Sequence, residues 1–458
     1  MILSDTIAAP ATPPGMGGIG IIRISGPDSL FFVSCIFRPK NPRASLKPRR
    51  MILGRVADPA TLEVYDEVLA VYMPGPFSYT GEDVVEIQAH GGSGVISALV
   101  GLILGQGARL AEPGEFTRRA FRNGRMDLSQ AEAVWELTQA RTTFQVKAAA
   151  AQLSGAFSCA LSAIRTSLED ILCLLIGSFD FPDEIAEPSS SDILSRLESE
   201  VRKPIENLVE LSRKNEIARR GMNVVIVGRP NVGKSSLLNR LLGRDRAIVS
   251  NLPGTTRDSI SEETFIAGRH AILWDTAGIR ADAEPVESLG IERTRLALDR
   301  ADVIILVIEA NQPFVEEDLA ILGQLEGRRL VIAANKSDLL GSPLAKPFPS
   351  THDSHPVVRV SALAGSGLDE LAGALWNSVD AESSIDLSQG LPNLRQRVLL
   401  ERAVDALSFA ISEARVQFLP DLLSTDIEAA LLTLGMITGE TATPDILDAI
   451  FSRFCIGK

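Results

Sequence analysis

Cysteine, the residue of disulfides and of many zinc sites, is rare in this sequence. Its 458 residues include only four cysteines, scattered without the paired spacing of a zinc site or a disulfide framework: Cys35, Cys159, Cys173 and Cys455. No apolar run is long enough to cross a membrane, and the first residues lack the basic region and long apolar core of a secretion signal. We therefore expect a protein of the reducing cytoplasm with no membrane contact.

Positive charge is also scarce. With 45 Lys and Arg against 58 Asp and Glu, the net charge of −13 argues against a protein that grips nucleic acid non-specifically over its whole surface. Residues 29–57 are the exception, because they contain no acid and seven bases: Arg38, Lys40, Arg43, Lys47, Arg49, Arg50 and Arg55. Such a segment can contact a phosphate backbone, and a solvated linker in a β-rich domain explains it equally well.

What is present indicates several globular domains. The length predicts about three domains, and 45% apolar with 22% charged residues is typical of folded proteins. Residues 1–120 predict a small α+β domain with a helix near 93–105 and strands near 20–25, 51–56, 68–72 and 84–89. Residues 121–218 and 380–458 show helical spacing, so we expect one discontinuous helical bundle around an inserted domain at 219–379.

The inserted domain carries a phosphate-binding motif. Gly228-Arg-Pro-Asn-Val-Gly-Lys-Ser235 follows an apolar run at 224–227, as in a P-loop between a strand and a helix. Its glycines let backbone N–H groups curl around phosphate, Lys234 supplies a charge to the β/γ oxygens, and the Ser235 hydroxyl can ligate Mg²⁺. Alone, this motif indicates a nucleotide but not which one.

Three later elements indicate guanine. Asp275-Thr-Ala-Gly278, Asn335-Lys-Ser-Asp338 and Ser361-Ala362 each follow a strand-like apolar run, where open α/β sheets place ligands. The Asp338 carboxylate can accept from both N–H groups of the guanine edge, whereas adenine would leave that charge unpaired. The asparagine and lysine before it would hold the loop and cover the ring, and the Ser361-Ala362 backbone would support the guanine carbonyl. The four elements together predict an inserted Ras-like P-loop GTPase domain in a multi-domain α/β chain.

The residue that orients the attacking water is less obvious. Signalling GTPases have a glutamine directly after the Asp-x-x-Gly turn, but this chain has Ile279. The candidates are acids of the following loop, namely Asp282, Glu284 and Glu287. Glu287 precedes an amphipathic segment and can approach the γ-phosphate if that loop orders. An ordinary acid at a helix N-terminus is the alternative explanation for it.

Between the P-loop and that turn lies a second loop, Ser250-Asn-Leu-Pro-Gly-Thr-Thr-Arg-Asp258. We favour Thr256 as the second Mg²⁺ ligand. Carbonyls of this loop, with the Asn231 side chain, can hold a monovalent cation beside the phosphates, which would replace the charge of an arginine finger. Arg257 is itself a candidate finger, and a structural role for it is equally compatible with the sequence.

Motifs near both ends extend beyond the nucleotide domain. They are Asp5-Thr-Ile-Ala-Ala, Gly20-Ile-Ile-Arg-Ile-Ser-Gly26, Gly81-Glu-Asp-Val-Val-Glu-Ile87, Pro113-Gly-Glu-Phe116 and the terminal Phe454-Cys-Ile-Gly-Lys458. With these motifs the whole chain resembles the tRNA modification GTPase MnmE family, also called TrmE.

The resemblance implies a potassium-dependent GTPase of three domains that forms a homodimer through its N-terminal domain, with a formyl-tetrahydrofolate site between two such domains. Family members act with the flavoprotein MnmG, which is expected to carry the FAD. Together they install an aminomethyl-type (carboxymethylaminomethyl) group on C5 of the wobble uridine of certain tRNAs. The folate, 5-formyl-tetrahydrofolate or a related tetrahydrofolate, supplies the one-carbon unit. Apposition of the two nucleotide domains across the dimer activates hydrolysis.

The resemblance also assigns roles position by position. The GTP contacts are Asn231, Val232, Gly233, Lys234, Ser235, Ser236, Ser250, Asn251, Leu252, Pro253, Gly254, Thr255, Thr256, Asp275, Thr276, Ala277, Gly278, Asn335, Lys336, Ser337, Asp338, Ser361, Ala362 and Leu363. Magnesium ligands are Ser235 and Thr256, and potassium lies at Asn231, Ser250, Leu252 and Thr255. Glu287 matches the catalytic glutamate, and the other residues placed at the reaction are Lys234, Thr256 and Arg257. Folate contacts are Arg23, Glu86, Lys458 and Arg125, the last standing where the family pattern can have lysine.

Some features allow more than one interpretation. Cys455 is fourth from the end of the chain but does not fit a prenylation box, so it is either a buried inert thiol or a group near the one-carbon chemistry. Glycines at 15, 17, 18 and 20 lead into a strand instead of a helix, so we expect no flavin or nicotinamide site in this chain. The alternative to a tRNA-modifying enzyme is a regulatory GTPase, for example in ribosome assembly, which would need no folate.

Overall fold

A computed structural model describes residues 5–180, 188–244, 261–275, 296–339, 351–352, 355–379 and 390–458. Contacts divide the chain into two compact units. The first unit consists of residues up to 139, 149–206 and 393–458, and the second of residues 140–148 and 207–392. The finer division of the first unit into an α+β domain and a helical domain stays a prediction.

The first unit contains a seven-stranded sheet whose order is β3-β4-β5-β6-β2-β1-β7. The strands are β1 (Ile7–Pro10), β2 (Gly17–Ser25), β3 (Phe37–Pro39), β4 (Ile52–Ala57), β5 (Val64–Met73), β6 (Val84–Gly91) and β7 (Arg109–Leu110). Helices α1 (Ser29–Ile36) and α2 (Ser93–Gly105) pack on one face. The strands and the helix predicted for this region are therefore confirmed.

Alternation along these strands separates a covered face from an open one. Ala70, Ile87 and Ile22 are aligned neighbours on β5, β6 and β2, and all three are fully buried under the helices. On β5, Leu69 precedes Ala70, and it pairs with Leu53 of β4 on the opposite face, where the two leucines are 37% and 41% exposed. Because successive strand side chains point to opposite faces, this open face runs across the sheet.

Helices on both sides of the second unit in the sequence complete the first unit. Within it lie α3 (Glu115–Arg122), α4 (Leu128–Gln139), α6 (Ala156–Asp180), α7 (Ser190–Arg196), a π-helical turn (Leu197–Arg202), α13 (Leu394–Val416), α14 (Pro420–Thr438) and α15 (Pro444–Phe451). The chain passes between the units at α5 (Thr143–Leu153) and α8 (Lys203–Lys214). Contacts of α14 with α6 and α13 confirm that both helical blocks join in one bundle.

A buried polar cluster ties the two helical blocks together. Glu132 on α4 accepts hydrogen bonds at 2.6 Å from Arg395 Nε and from Gln396 Nε2 at the start of α13. Gln152 donates to Gln396 Oε1 at 3.0 Å, and Glu132, Gln152 and Gln396 are all buried. Since buried polar groups are costly unless paired, these contacts specify how the second block returns to the first.

The second unit is a doubly wound α/β domain with the sheet order β13-β14-β12-β11-β8-β10-β9. Its strands are β8 (Met222–Val227), β9 (Ser261–Ile266), β10 (Arg269–Asp275), β11 (Val303–Glu309), β12 (Leu330–Asn335), β13 (Thr351–His352) and β14 (His355–Arg359). Its helices are α9 (Glu216–Arg220), α10 (Lys234–Arg244), α11 (Glu316–Gln324) and α12 (Leu368–Ser378), with a 3₁₀ turn at Ser337–Leu339 and helical residues at 296–300.

The central strands explain why this sheet is parallel. Strands β10, β8, β11, β12 and β14 run parallel to one another, and the β11 sequence Val-Ile-Ile-Leu-Val-Ile is buried along its whole length. Strands that are apolar on both faces require helices on both sides. Separate core clusters on the two faces of the sheet meet this requirement. The multi-domain α/β class with an inserted P-loop domain is thus confirmed.

Within the described ranges, we find no helix whose length and hydropathy suffice to cross a bilayer.

The Glu132 cluster makes a prediction about stability. Glu132→Ala leaves the Arg395 guanidinium without its carboxylate, and we expect a loss of about 3 kcal/mol in the free energy of unfolding of the helical bundle. Glu428, exposed on α14, is the matched control, and its change to Ala should cost less than about 0.5 kcal/mol. Urea unfolding followed by circular dichroism measures both, and equal losses would contradict the importance of the cluster.

Candidate functional site

The first candidate site lies at the carboxyl edge of the second unit's sheet. Strand β8 has β10 on one side and β11 on the other, so the strand order reverses there. Ligands of open α/β sheets bind in the crevice outside such a switch point. The phosphate-binding motif leaves β8 at this edge and leads into α10, which begins at Lys234.

The backbone of the phosphate loop leaves room only for glycine at two positions. Gly228 has φ +149°, and a Cβ there would lie 2.4 Å from the Val307 carbonyl oxygen. Gly233 has φ +96°, and its Cβ would meet Asn335 Nδ2 at 2.3 Å. This is the close-packed loop that a phosphate cradle requires.

Charge and hydroxyl groups are placed around that loop. Lys234 Nζ donates to the carbonyl oxygens of Gly228 and Arg229, each at 2.8 Å, so its ammonium lies at the loop. Ser235 and Ser236 are exposed in the first turn of α10. An ammonium and an exposed hydroxyl at a helix N-terminus fit a magnesium-bound phosphate.

The Asn335 carboxamide joins three loops of the site. Its Nδ2 donates to the Val232 carbonyl oxygen at 2.9 Å, and its Oδ1 accepts from the Ala362 backbone N–H at 3.0 Å. Asn335 is only 2% exposed, so both bonds are shielded from water. Residues assigned to three separate sequence motifs are therefore held together by one side chain.

The residue expected to read the base is supported by a neighbour that sequence reasoning missed. Asp338 is exposed in the 3₁₀ turn, and Ser361 Oγ donates to its Oδ1 at 2.5 Å. Ser361 Oγ also accepts from Ala364 N at 3.0 Å. The sequence suggested only a backbone role for Ser361. Its hydroxyl, placed directly after a strand, was the feature that could have indicated a side-chain role. Of the next two residues in the chain, Ala362 is buried and Leu363 is 84% exposed.

Several predicted nucleotide, metal and catalytic residues lie outside the part of the chain that the structure describes. They are Ser250, Asn251, Leu252, Pro253, Gly254, Thr255, Thr256, Arg257, Thr276, Ala277, Gly278, Asp282, Glu284 and Glu287. Asp275 ends β10 beside Ile226 of β8, which places its backbone at the same sheet edge as the phosphate loop.

The second candidate site lies on the sheet of the first unit. Arg23 on β2 forms an ion pair with Glu86 on β6 at 2.8 Å, and its Nη1 donates to the Gly457 carbonyl oxygen at 3.3 Å. The guanidinium lies 4.9 Å from the centre of the Tyr79 ring and 5.7 Å from that of Phe116. Two charges and two rings thus meet at this point of the fold.

The C-terminal residues reach the same place. A Cβ at Gly457 would lie 2.0 Å from the Pro10 carbonyl oxygen, so the terminal segment packs tightly against β1. The Phe116 N–H donates to the Lys458 carbonyl oxygen at 3.1 Å. Burial, aided by the nearby Arg23 charge, lowers the pKa of Lys458. Cys455 is exposed, so it is not the buried thiol considered from the sequence.

Arg125 contacts the segment that carries Tyr79. Its Nε donates to the Ser78 carbonyl oxygen at 3.1 Å. Sequence reasoning missed Tyr79. Its hydroxyl forms a hydrogen bond of 2.8 Å with the Thr117 hydroxyl, and burial raises the pKa of the tyrosine. Arg23, Glu86 and Lys458 therefore come together, while Arg125 reaches them through this intervening segment.

Comparison with known protein families accounts for both parts of the chain. A model described as the N-terminus of GTP-binding protein TrmE matches residues 6–125, and one described as the MnmE helical domain matches residues 128–455. Proteins named tRNA modification GTPase MnmE align with all of this chain and all of their own length. They include those of Roseiflexus castenholzii at 44% identity, Moorella thermoacetica at 42% and Alkaliphilus metalliredigens at 41%. With matches of this length and identity, the chain belongs to the MnmE family.

Proposed function

We propose that this chain is a potassium-activated GTPase that works with the flavoprotein MnmG on certain tRNAs. Together they would add a carboxymethylaminomethyl-type group to C5 of the wobble uridine, using a folate one-carbon unit. GTP hydrolysis in tRNA modification is the activity named for the full-length relatives. The observation that carries the rest is that one chain holds a guanine-nucleotide site and a separate site of cations, a carboxylate and aromatic rings.

The phosphate end of the nucleotide site is proposed to hold Mg²⁺ through Ser235 and Thr256. The ion, when bound, neutralises charge that develops on the phosphate oxygens. Lys234, held at the loop by two carbonyl oxygens, adds a positive charge that is in place before the reaction begins. This preorganisation lowers the barrier because no reorganisation is needed when charge develops.

Potassium is proposed to lie beside the phosphates, at Asn231, Ser250, Leu252 and Thr255. The described part of the loop supports this, because Asn231 is exposed and adopts a left-handed backbone conformation with φ +66°. A side-chain amide oxygen is a suitable ligand for a hard cation. Glu287 is proposed to orient the attacking water, since Ile279 cannot.

Folate is proposed to bind where Arg23, Glu86 and Lys458 come together, with Arg125 contributing from the neighbouring segment at 78–79. A carboxylate such as Glu86 suits the N–H edge of a pterin ring, cationic side chains suit folate carboxylates, and Tyr79 offers an aromatic face. Burial lowers the pKa of Lys458, and a negatively charged ligand beside it would offset that effect, so this position suits an anionic group. Exposed Cys455 is proposed to lie near the one-carbon chemistry.

A homodimer is proposed to form through the open face of the N-terminal sheet. Leu53 and Leu69 expose apolar side chains there, and Arg23 and Glu86 are aligned on the same face. A second copy covering this face would bury its apolar side chains and complete the folate site. The tRNA and MnmG are the other partners, and FAD is proposed to belong to MnmG.

Asp338→Asn tests base recognition. An amide donates where the carboxylate accepts, so it suits xanthine, which has a carbonyl in place of the 2-amino group of guanine. We expect the ratio of GTP to XTP affinity to fall by at least about 100-fold, measured by competition with a fluorescent nucleotide. Asp405→Asn, at an exposed position of the first unit, should leave the ratio unchanged. An unaltered GTP preference for Asp338→Asn would refute the assignment.

Glu287→Ala tests the water-orienting role. We expect hydrolysis to fall about 100-fold or more in KCl while GTP affinity is retained, because the residue acts on water and not on the nucleotide. Glu284→Ala is the matched control and should keep the wild-type rate. The Glu287 proposal fails if Glu284→Ala is the inactive variant.

Wild type assayed in NaCl should lose most of its activity. The potassium proposal fails if the hydrolysis rates in sodium and potassium agree.

Gly457→Ala tests whether the C-terminal segment builds the folate site separately from the GTPase site. The added Cβ would clash with Pro10, so Lys458 should move, and we expect affinity for 5-formyl-tetrahydrofolate to fall at least about tenfold, which is about 1.4 kcal/mol. GTP hydrolysis should not change. Gly101→Ala is the control, since open space surrounds that position.

The same variants decide the cellular function. In a strain that lacks this protein, wild type and Gly101→Ala should restore the modified wobble uridine, detected by mass spectrometry of tRNA, and Gly457→Ala should not. A regulatory GTPase has no need of folate, so wild-type protein that fails to bind the folate and fails to restore the modification would favour that alternative.

A further inference from the structure

We propose that Glu309 is a positioning residue for guanine-nucleotide binding, holding Lys336 of the base-recognition loop and Arg229 of the phosphate loop with one carboxylate. The inference rests on the proposed GTP site and adds to it a residue that belongs to none of the nucleotide-binding motifs. Glu309 does not need to touch the nucleotide, because it acts through the lysine whose stem covers the base.

The position of Glu309 in the sheet puts its side chain between the two loops. It is the last residue of β11, the strand that separates β8 from β12. Its backbone is aligned with Asn335, and the next residue, Ala310, donates its N–H to the Asn335 carbonyl oxygen at 2.7 Å. The phosphate loop follows β8 and the base-recognition loop follows β12, so a side chain at the end of β11 can reach both.

The contacts of the carboxylate use both of its oxygens. Glu309 Oε1 accepts a close hydrogen bond from Lys336 Nζ. Its Oε2 accepts from Arg229 Nη2 at 3.4 Å and also from Gln312 Nε2. The hydrogen bond from Lys336 is the main cause that lowers the pKa of Glu309. The side chains of Glu309 and Arg229 are only 17% and 18% exposed, so the contacts are partly shielded from water.

A second acid lies against Arg229. Arg229 Nε lies 3.3 Å from Asp318 Oδ1, and Asp318 is 1% exposed. Burial raises the pKa of Asp318, whereas the contact with Lys336 lowers the pKa of Glu309. Glu309, Lys336, Arg229 and Asp318 together form the cluster, and removing one partner of a buried ion pair is costly because the other charge is left uncompensated.

The cluster restricts the conformational freedom of the Lys336 side chain. A lysine stem has several rotatable bonds, and ordering it when the nucleotide arrives would weaken binding. The backbone of Lys336 is itself in the left-handed conformation, with φ +63°. With its ammonium bound to Glu309, the stem is ordered before the base arrives. The contribution of Glu309 should therefore depend on Lys336 and be equal for any purine that the stem covers.

Glu309→Gln in the full-length protein tests this. The change keeps the shape and removes the charge, and we expect the Kd for fluorescent GDP to rise about tenfold through faster dissociation, measured by stopped flow. The Kd for the inosine analogue should rise by the same factor, because recognition of the 2-amino group belongs to Asp338. Glu316→Gln, at an exposed position in the first turn of α11, is the matched control and should bind as wild type does.

A double variant separates positioning from a general structural role. In a Lys336→Met background, we expect Glu309→Gln to change the Kd by less than about twofold, because the lysine through which it acts is gone. An equal tenfold loss in both backgrounds, or a wild-type Kd for Glu309→Gln, would overturn the inference. Failure of wild-type protein to bind guanine nucleotides would instead overturn the proposed function, so the two failures are distinguishable.

Discussion

The nucleotide site depends on a single buried carboxamide. Asn335 donates to the carbonyl oxygen of Val232 in the phosphate loop and accepts from the backbone of Ala362 after the last parallel strand. The Asn335 side chain is buried, and a Cβ at Gly233 would collide with the amide. Because each of the three segments ends a different strand, the sheet brings them near one another and the carboxamide sets their spacing. Lys336 and Asp338, which follow Asn335 in the chain, contact Glu309 and Ser361 within this arrangement.

In the first unit, too, one side chain joins segments that are distant in the sequence. Arg23 contacts the backbone of Gly457, 434 residues away in the sequence, while it pairs with Glu86 on the adjacent strand. The terminal Lys458 is thereby placed at the N-terminal sheet and partly desolvated. A site assembled from both ends of a chain requires that the sheet and the helical bundle fold as one unit, and the Glu132 cluster supplies the corresponding contact between the two helical blocks.

Much of the fold was predictable because the patterns are strong. Buried strands such as β11 are continuously apolar, and the boundaries expected for α2 agree with the structure. Lys234, Asn335 and Asp338 stand out in the sequence because phosphate and guanine chemistry restrict the residue types that can serve, and their roles at the nucleotide stay predictions. Tyr79 and the hydroxyl of Ser361 were missed, because neither residue type is unusual in a loop and only its neighbours reveal its role.

The sequence by itself determined the class of fold, the nucleotide and the family, because periodic hydrophobicity and short motifs are local properties of a chain. Only the tertiary structure decided which residues act together. The contacts of Glu309 with Lys336 and Arg229, and of Arg23 with the last residues of the chain, join segments far apart in the sequence. Such pairings follow from strand order and side-chain direction, which a linear pattern does not contain.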